Sequence, residues 1–527
     1  MTATTPGVYT NITTAPTSNE GGNGTAASAS LTVPSPPVIA KSFGTPTIPV
    51  GGSTSLSFMI TNPNSATALT EVAFTDTLPA GLVVSTSNGL SGTCGGGTIT
   101  ATPGTGTVSL SGAGLAGAAS CMFSVNVTGT GAGVENNNVT VTSANAGTGN
   151  TASATVTVLA PPTIAKSFGV PSIPFGQNTT LTFNLANPNA TGQLTGVGFT
   201  DILPAGLVVA SPNGLSGSCG GGTITAAAGS GVVKLAGATL SASTACMFQV
   251  AMTAVGLGSQ SNTTSAVTSD DGGTGLTATA MITVTRAPTT TTVMALPSNP
   301  GFGQAVTFTA TVVPSGANNS GVNPTGTVSF FLNGSTTPAA IVNLNAAGQA
   351  MFTTSALAAG ANTVTASYSG DTTFGPSSST TAATATVSCT TTITGSNGAL
   401  IPGPGSTCVI GGTVSGSITV PAGSSLDLEG VTVVGSVNVS GGGAIRICGS
   451  TIGGSVTVTG DTSFVVIGDA ADGCAANTIG GSLTLLSNHH GVQVIGNTVK
   501  GAVTASGNSG AGPFPDDTAA HISGNHP

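Results

Sequence analysis

Short runs in which apolar and polar residues alternate occupy most of this chain. Ser55-Leu-Ser-Phe-Met-Ile60 and Thr180-Leu-Thr-Phe-Asn-Leu185 are examples. A two-residue period lines the apolar side chains along one face of a strand, so half-buried β-strands are expected throughout. Turn-forming clusters such as Asn62-Pro-Asn-Ser-Ala-Thr67 and Asn187-Pro-Asn-Ala-Thr-Gly192 bound these runs. Pro-rich joints at Pro34-Ser-Pro-Pro37, Ala160-Pro-Pro162 and Arg286-Ala-Pro288 divide the chain and limit bending between its segments. The predicted class is all-β.

The pattern repeats without a gap at an offset of 125 residues. Pro37 to Gly44 reads PVIAKSFG and Pro162 to Gly169 reads PTIAKSFG, while Phe74 to Val84 (FTDTLPAGLVV) returns at Phe199 to Val209 (FTDILPAGLVV). Seven or so short strands in a unit of this size predict a β-sandwich. Residues 36–160 and 161–286 are thus expected to be two such repeats, each with its own core. Gly7-Val-Tyr-Thr-Asn11 and the run ending at Val33 mirror Gly133-Val-Glu-Asn-Asn137 and the run ending at Val158. Residues 1–35 therefore read as the last strands of a truncated preceding repeat, and the sequence as part of a longer exported protein.

Beyond residue 389 the period shortens. Gly416-Ser-Ile-Thr-Val420, Gly435-Ser-Val-Asn-Val439, Gly454-Ser-Val-Thr-Val458, Gly481-Ser-Leu-Thr-Leu485 and Gly501-Ala-Val-Thr-Ala505 recur at steps of 19, 19, 27 and 20. Stacked turns of this length predict a parallel β-helix, or solenoid, over 389–527, with an inserted loop at Gly468–Cys474. The fold class expected for the whole chain is tandem immunoglobulin-like β-sandwiches followed by this C-terminal β-helix.

Composition narrows the function. Charged residues are 4% of the chain and the net charge is −9, so no basic surface is available for nucleic acid. No apolar run approaches the ~18 residues of a membrane-spanning helix. The eight cysteines fall in local pairs, 94/121, 219/246, 389/408 and 448/474. That distribution predicts four disulfides and an oxidising compartment. None of the cysteines has metal-ligand spacing, so neither a metal nor a cofactor is expected.

AKSFG, the NPN turn, FTDTLPAGL and the Cys-Gly-Gly-Gly segments at 94–97 and 219–222 resemble a repeat family of large bacterial surface proteins, known only as a domain of unknown function. The resemblance implies an extracellular sandwich module without assigning an activity. Pro324-Thr-Gly-Thr-Val-Ser-Phe-Phe331 and Tyr368-Ser-Gly-Asp-Thr-Thr-Phe374 resemble a bacterial immunoglobulin-like domain, spanning 287–388, whose implied role is that of a spacer.

One constellation carries chemistry. Lys41 shares a strand face with Ile39 and Phe43, and Asp76 with Phe74 and Leu78, so both ionisable groups are expected to point inward. Asn137 lies four residues after the Gly that opens a late strand. Lys166, Asp201 and Asn262 repeat the set. A first-strand Lys, a central Asp and a last-strand Asn resemble the autocatalytic Lys–Asn isopeptide triads of surface adhesins. The plainer alternative is a buried Lys–Asp ion pair, or a Lys reaching solvent at a sheet edge. Other candidates are His489-His490, Asp469 and Asp472 in the inserted loop, and Asp427 with Glu429 on one turn. Solvated turns explain these more simply than metal ligands or paired catalytic acids. The segment Gly95–Gly97 is a turn and carries no phosphate-binding lysine.

The expected function is a non-enzymatic, exported or cell-surface stalk and adhesin. Its partner is an extracellular protein or glycan that the sequence does not identify. The alternative is a secreted carbohydrate-active protein that uses the β-helix as its active domain.

Overall fold

A computed structural model describes residues 4–514, 517 and 519–526, and among these every regular element is a β-strand. Among the described residues no helix is long and apolar enough to cross a membrane. The chain forms two compact units, Met1–Ile173 with Asn178–Thr283, and Pro174–Gln177 with Val284–Pro527.

The first unit holds two sandwiches. In the first of them, one sheet runs in the order Ser91–Thr93, Ser120–Gly129, Ser53–Thr61, Val38–Phe43. The facing sheet runs Thr98–Thr100, Thr107–Leu115, Leu69–Thr77, Gly133–Ser143, Gly147–Leu159, Thr47–Pro49. Alternation decides what is buried. Thr54, Leu56, Phe58 and Ile60 turn into the core, whereas Ser55, Ser57 and Met59 turn away. Phe58 and Phe123 from one sheet meet Phe74 from the other, with ring centroids 4.9–6.0 Å apart. Phe183, Phe199 and Phe248 form the same cluster in the second sandwich. In a chain without Trp these rings matter, since each buried ring stabilises the fold by about 1.5–3 kcal/mol. Near the start, Gly7–Ile12 pairs with Ser28–Val33, Gly7 opposite Val33, in the register that sets Gly133 opposite Val158.

The second unit begins with a further sandwich. Thr289–Leu296, Val306–Pro314 and Gln349–Thr354 make one sheet, and Ala340–Asn343, Thr327–Leu332 and Gly360–Tyr368 lie in the other. From Thr391 onward the strands pair in parallel, each with its equivalent one turn of chain later. Ile418, Val437, Val456, Leu483 and Val503 form one aliphatic column. Val414, Val433, Ile452, Ile479 and Val499 form a second. The recurring glycines have a steric reason. A side chain at Gly435, Gly454 or Gly481 would collide with Ser417, Ser436 or Ser455 of the turn before.

The immunoglobulin-like sandwich and the parallel strands from Thr391 onward lie in one compact unit. Phe302 packs edge-on against Phe464 at 6.2 Å, and Phe352 stacks on Phe514 at 6.0 Å. The amide of Ala359 donates to Asp427 at 2.8 Å. Aromatic contact and a buried polar bond join them.

Candidate functional site: two buried Lys–Asp–Asn sets

Lys41 lies on the edge strand Val38–Phe43, directly opposite Phe58 in the antiparallel register, and so it faces the core. Asp76 and Asn137 come from the facing sheet, on Leu69–Thr77 and Gly133–Ser143. The Lys41 ammonium donates to both oxygens of Asp76 at 2.8 Å, and Asn137 Nδ2 donates to Asp76 Oδ2 at 3.0 Å. The Lys41 and Asp76 side chains are fully shielded from solvent. The lysine ammonium also lies 5.4 Å from the centre of the Phe58 ring, a distance at which the ring face attracts a cation.

The second sandwich reproduces the set. Lys166 donates to Asp201 Oδ1 at 2.7 Å, and Asn262 Nδ2 donates to Oδ2 at 2.9 Å. Lys and Asp are 35 residues apart, and Asp and Asn 61 apart, in both copies. Both asparagine side chains are buried.

Burial governs the electrostatics. Loss of water pulls the Lys41 pKa down, against the opposing pull of Asp76, and Lys166 shifts the same way. The same desolvation raises Asp76, outweighing Lys41 and Asn137. Ion pair and neutral amine–acid pair are thereby drawn together in energy. Asn137 Oδ1 and Asn262 Oδ1 are buried and accept no hydrogen bond among the described residues.

All eight cysteines are bonded: Cys94–Cys121, Cys219–Cys246, Cys389–Cys408 and Cys448–Cys474, with Cα atoms 4.9–6.0 Å apart. Closing a 27-residue loop contributes about 3 kcal/mol through the unfolded state. Gly95 turns at φ +52° beside the first disulfide, where a side chain would strike the Gly114 carbonyl.

The NPN motif proves to be more than a turn. Asn62 and Asn187 are buried, and their Nδ2 atoms lie 2.9–3.1 Å from carbonyls of two separate loops. The second Asn grips the joint ahead of its own domain. Ala160 N donates to Asn189 Oδ1 at 2.7 Å, and Asn189 Nδ2 donates to Ala160 O at 2.9 Å. Asn64 holds Ser35 by the same pair of bonds. The signal was an asparagine at both ends of the motif, where a simple turn tolerates many residues. Asn189→Ala should therefore speed amide hydrogen exchange at Ala160, while the domain that holds it loses only about 1 kcal/mol. Unchanged exchange would show that the joint is stiff without this grip.

Residues 37–158 and 162–284 each match the family model "Domain of unknown function (DUF7933)", and residues 293–388 match "Bacterial Ig-like domain (group 3)". The chain carries two tandem DUF7933 domains and one bacterial Ig-like domain. No curated protein matches it. Similar solved structures include the C-terminal domain of the Streptococcus agalactiae AgI/II polypeptide BspA, at 11% identity. That match covers 53% of this chain and 99% of that one, with a TM-score of 0.29. The C-terminal domain of the Streptococcus pyogenes antigen I/II-family protein AspA matches at 10% identity, covering 52% and 99%, with a TM-score of 0.31. The Escherichia coli adhesin FdeC matches at 16%, covering 68% and 99%, with a TM-score of 0.23.

Outside the DUF7933 domains, the weaker candidates find structural partners. Asp427 does not form an open acid pair with Glu429. It is wholly buried against Arg446 of the next turn and the Ala359 amide, and Glu429 also contacts Arg446. Asp469 and Asp472 are buried, not solvated, and gather with Asp517, their oxygens within 4.8 Å of one another. His489 is exposed and shares a hydrogen bond with Ser509 at 2.9 Å.

Proposed function

We propose that this protein is an exported cell-surface stalk and adhesin. Two DUF7933 domains (36–160 and 161–286) and an Ig-like domain (287–388) serve as spacers. A parallel β-helix over 389–527 is presented to an extracellular protein or glycan, and residues 1–35 supply the last strands of a further repeat. The observation that carries this reading is the way the tandem domains are pinned. Each holds a disulfide and a buried Lys–Asp–Asn set, and an asparagine grips the joint before it. Such reinforcement suits a module that must keep its shape outside the cell, where disulfides persist.

A carbohydrate-active reading would require two carboxylates about 5–10 Å apart in an open groove. Asp427 and Glu429 are instead held by Arg446, which supports the stalk.

Thiol trapping and surface proteolysis of intact producing cells test the proposal. The expected result is a protease-accessible chain whose cysteines resist alkylation until reduced. A protease-protected chain with free thiols would overturn it.

A further inference from the structure

The Lys–Asp–Asn sets have more order than an ion pair requires. A Lys–Asp pair could be buried in many ways. Here both copies bring a third side chain, an asparagine, onto the same carboxylate, and both leave its carbonyl oxygen buried without a donor among the described residues. A buried orphan acceptor is unfavourable in a merely structural network. It is well suited to a carbonyl that a carboxylic acid will polarise. Nζ and the amide group are ligands of one carboxylate and so lie close together, with the rings of Phe58 and Phe183 near the two lysines.

We propose that Lys41 and Asn137, and likewise Lys166 and Asn262, become joined by an intramolecular amide, with Asp76 and Asp201 carrying the protons. The reaction needs no outside reagent. The Lys41 ammonium passes a proton to Asp76, leaving a neutral amine beside a neutral acid. A half-turn of the Asn137 amide puts Oδ1 where Nδ2 stood, and it accepts the acid proton. The amine lone pair then attacks Cγ, forming the Nζ–Cγ bond and a tetrahedral centre. Asp76 takes a proton from Nζ and delivers it to Nδ2, the Cγ–Nδ2 bond breaks, ammonia leaves, and the Oδ1 proton returns to Asp76 as the carbonyl reforms. One C–N bond is made and one is lost. The desolvation that lowers Lys41 and raises Asp76 favours the first step.

The link would fulfil a task that the disulfide does not. Cys94–Cys121 closes the segment between those residues and leaves Val38–Phe43 and Gly133–Ser143 covalently free of each other. The amide would tie these two strands, which belong to opposite sheets, across the core. The inference rests on the core geometry alone and does not depend on the protein being a surface stalk.

Intact-mass spectrometry of the full chain, reduced and alkylated, decides it. Two links predict a deficit of about 34 Da, one ammonia for each amide exchange. Asp76→Asn or Lys41→Gln should halve the deficit, and adding Asp201→Asn or Lys166→Gln should abolish it. Should a variant fail to fold, the wild-type chain still answers. Trypsin should not cut after Lys41 or Lys166, and tandem spectra should show branched peptides joining Lys41 to Asn137 and Lys166 to Asn262. A folded wild-type chain of full mass, cleaved normally after both lysines, would overturn the proposal. So would a deficit that survives in the lysine variants.

Discussion

Replacing Arg446 with methionine should destabilise the C-terminal unit by about 3–5 kcal/mol, the usual consequence of leaving a buried charge without its partner. Asp427 is completely buried, and with Arg446 gone it would keep only the Ala359 amide at 2.8 Å. Burial already pushes the Asp427 carboxyl above its ordinary range, despite the attraction of Arg446 and the bond from Ala359. Desolvation therefore outweighs attraction at this pair, which has a second consequence. Exchanging both residues for apolar ones, Arg446→Met with Asp427→Leu, should restore most of the stability lost by the single change. Urea denaturation of the full chain, following the transition of the C-terminal unit, gives both numbers. A double variant no more stable than Arg446→Met would mean that the pair itself holds the Ig-like domain against the parallel strands.

Asp461→Asn should stabilise the same unit, by an amount that depends on pH. The Asp461 carboxyl is buried, its oxygens have no hydrogen-bond partner of sound geometry among the described residues, and desolvation pushes its pKa from 3.8 up to about 7. The Gly442 backbone offsets little of this. In the pH interval between those values the folded chain holds a proton that the unfolded chain has released. Wild-type stability should thus be intact below the lower value, fall as pH rises through the interval, and level off above about 7. Asparagine carries no charge and removes the slope. The gain should be near zero in acid and about 2–4 kcal/mol at about pH 8. An asparagine also fits the local pattern. One turn later, Asn488 Nδ2 donates to Val458 O and to Asn508 Oδ1. The amide introduced by Asp461→Asn would find Val439 O and Asn488 Oδ1 in the equivalent places. Thermal unfolding of both chains across this range is the check, and parallel pH profiles would count against it.

The strands were legible because a strand's code is local. Ser53–Thr61 alternates in sequence and alternates in burial, and no distant residue can change which neighbours share a face. The 125-residue offset and the short C-terminal period needed no more than comparison of the chain with itself, and so did the inward aim of Lys41 and Asp76. Cysteines with equal spacing in two copies belong to the same category.

What remained hidden was partnering that no repeat or spacing in the chain announces. Asp427 and Glu429 share a strand face, but Arg446, from the next parallel strand, and Ala359, from the Ig-like sandwich, turn a candidate acid pair into a sealed ion pair. Asn64 and Asn189 read as turn residues because their partners, Ser35 and Ala160, lie 29 residues away. Asp469 and Asp472 looked solvated because nothing in a Gly- and Ala-rich loop announces that Gly473 will lie against Leu332. Face and period follow from the backbone geometry of a single strand, so the sequence alone determined the class, the repeats and the inward lysines. Charge state and hydrogen-bond satisfaction depend on who arrives from elsewhere in the chain. Only the tertiary structure decided that Arg446 seals Asp427 and Glu429 and that Asn64 and Asn189 grip the joints, because desolvation and partnering exist only once the sheets have closed.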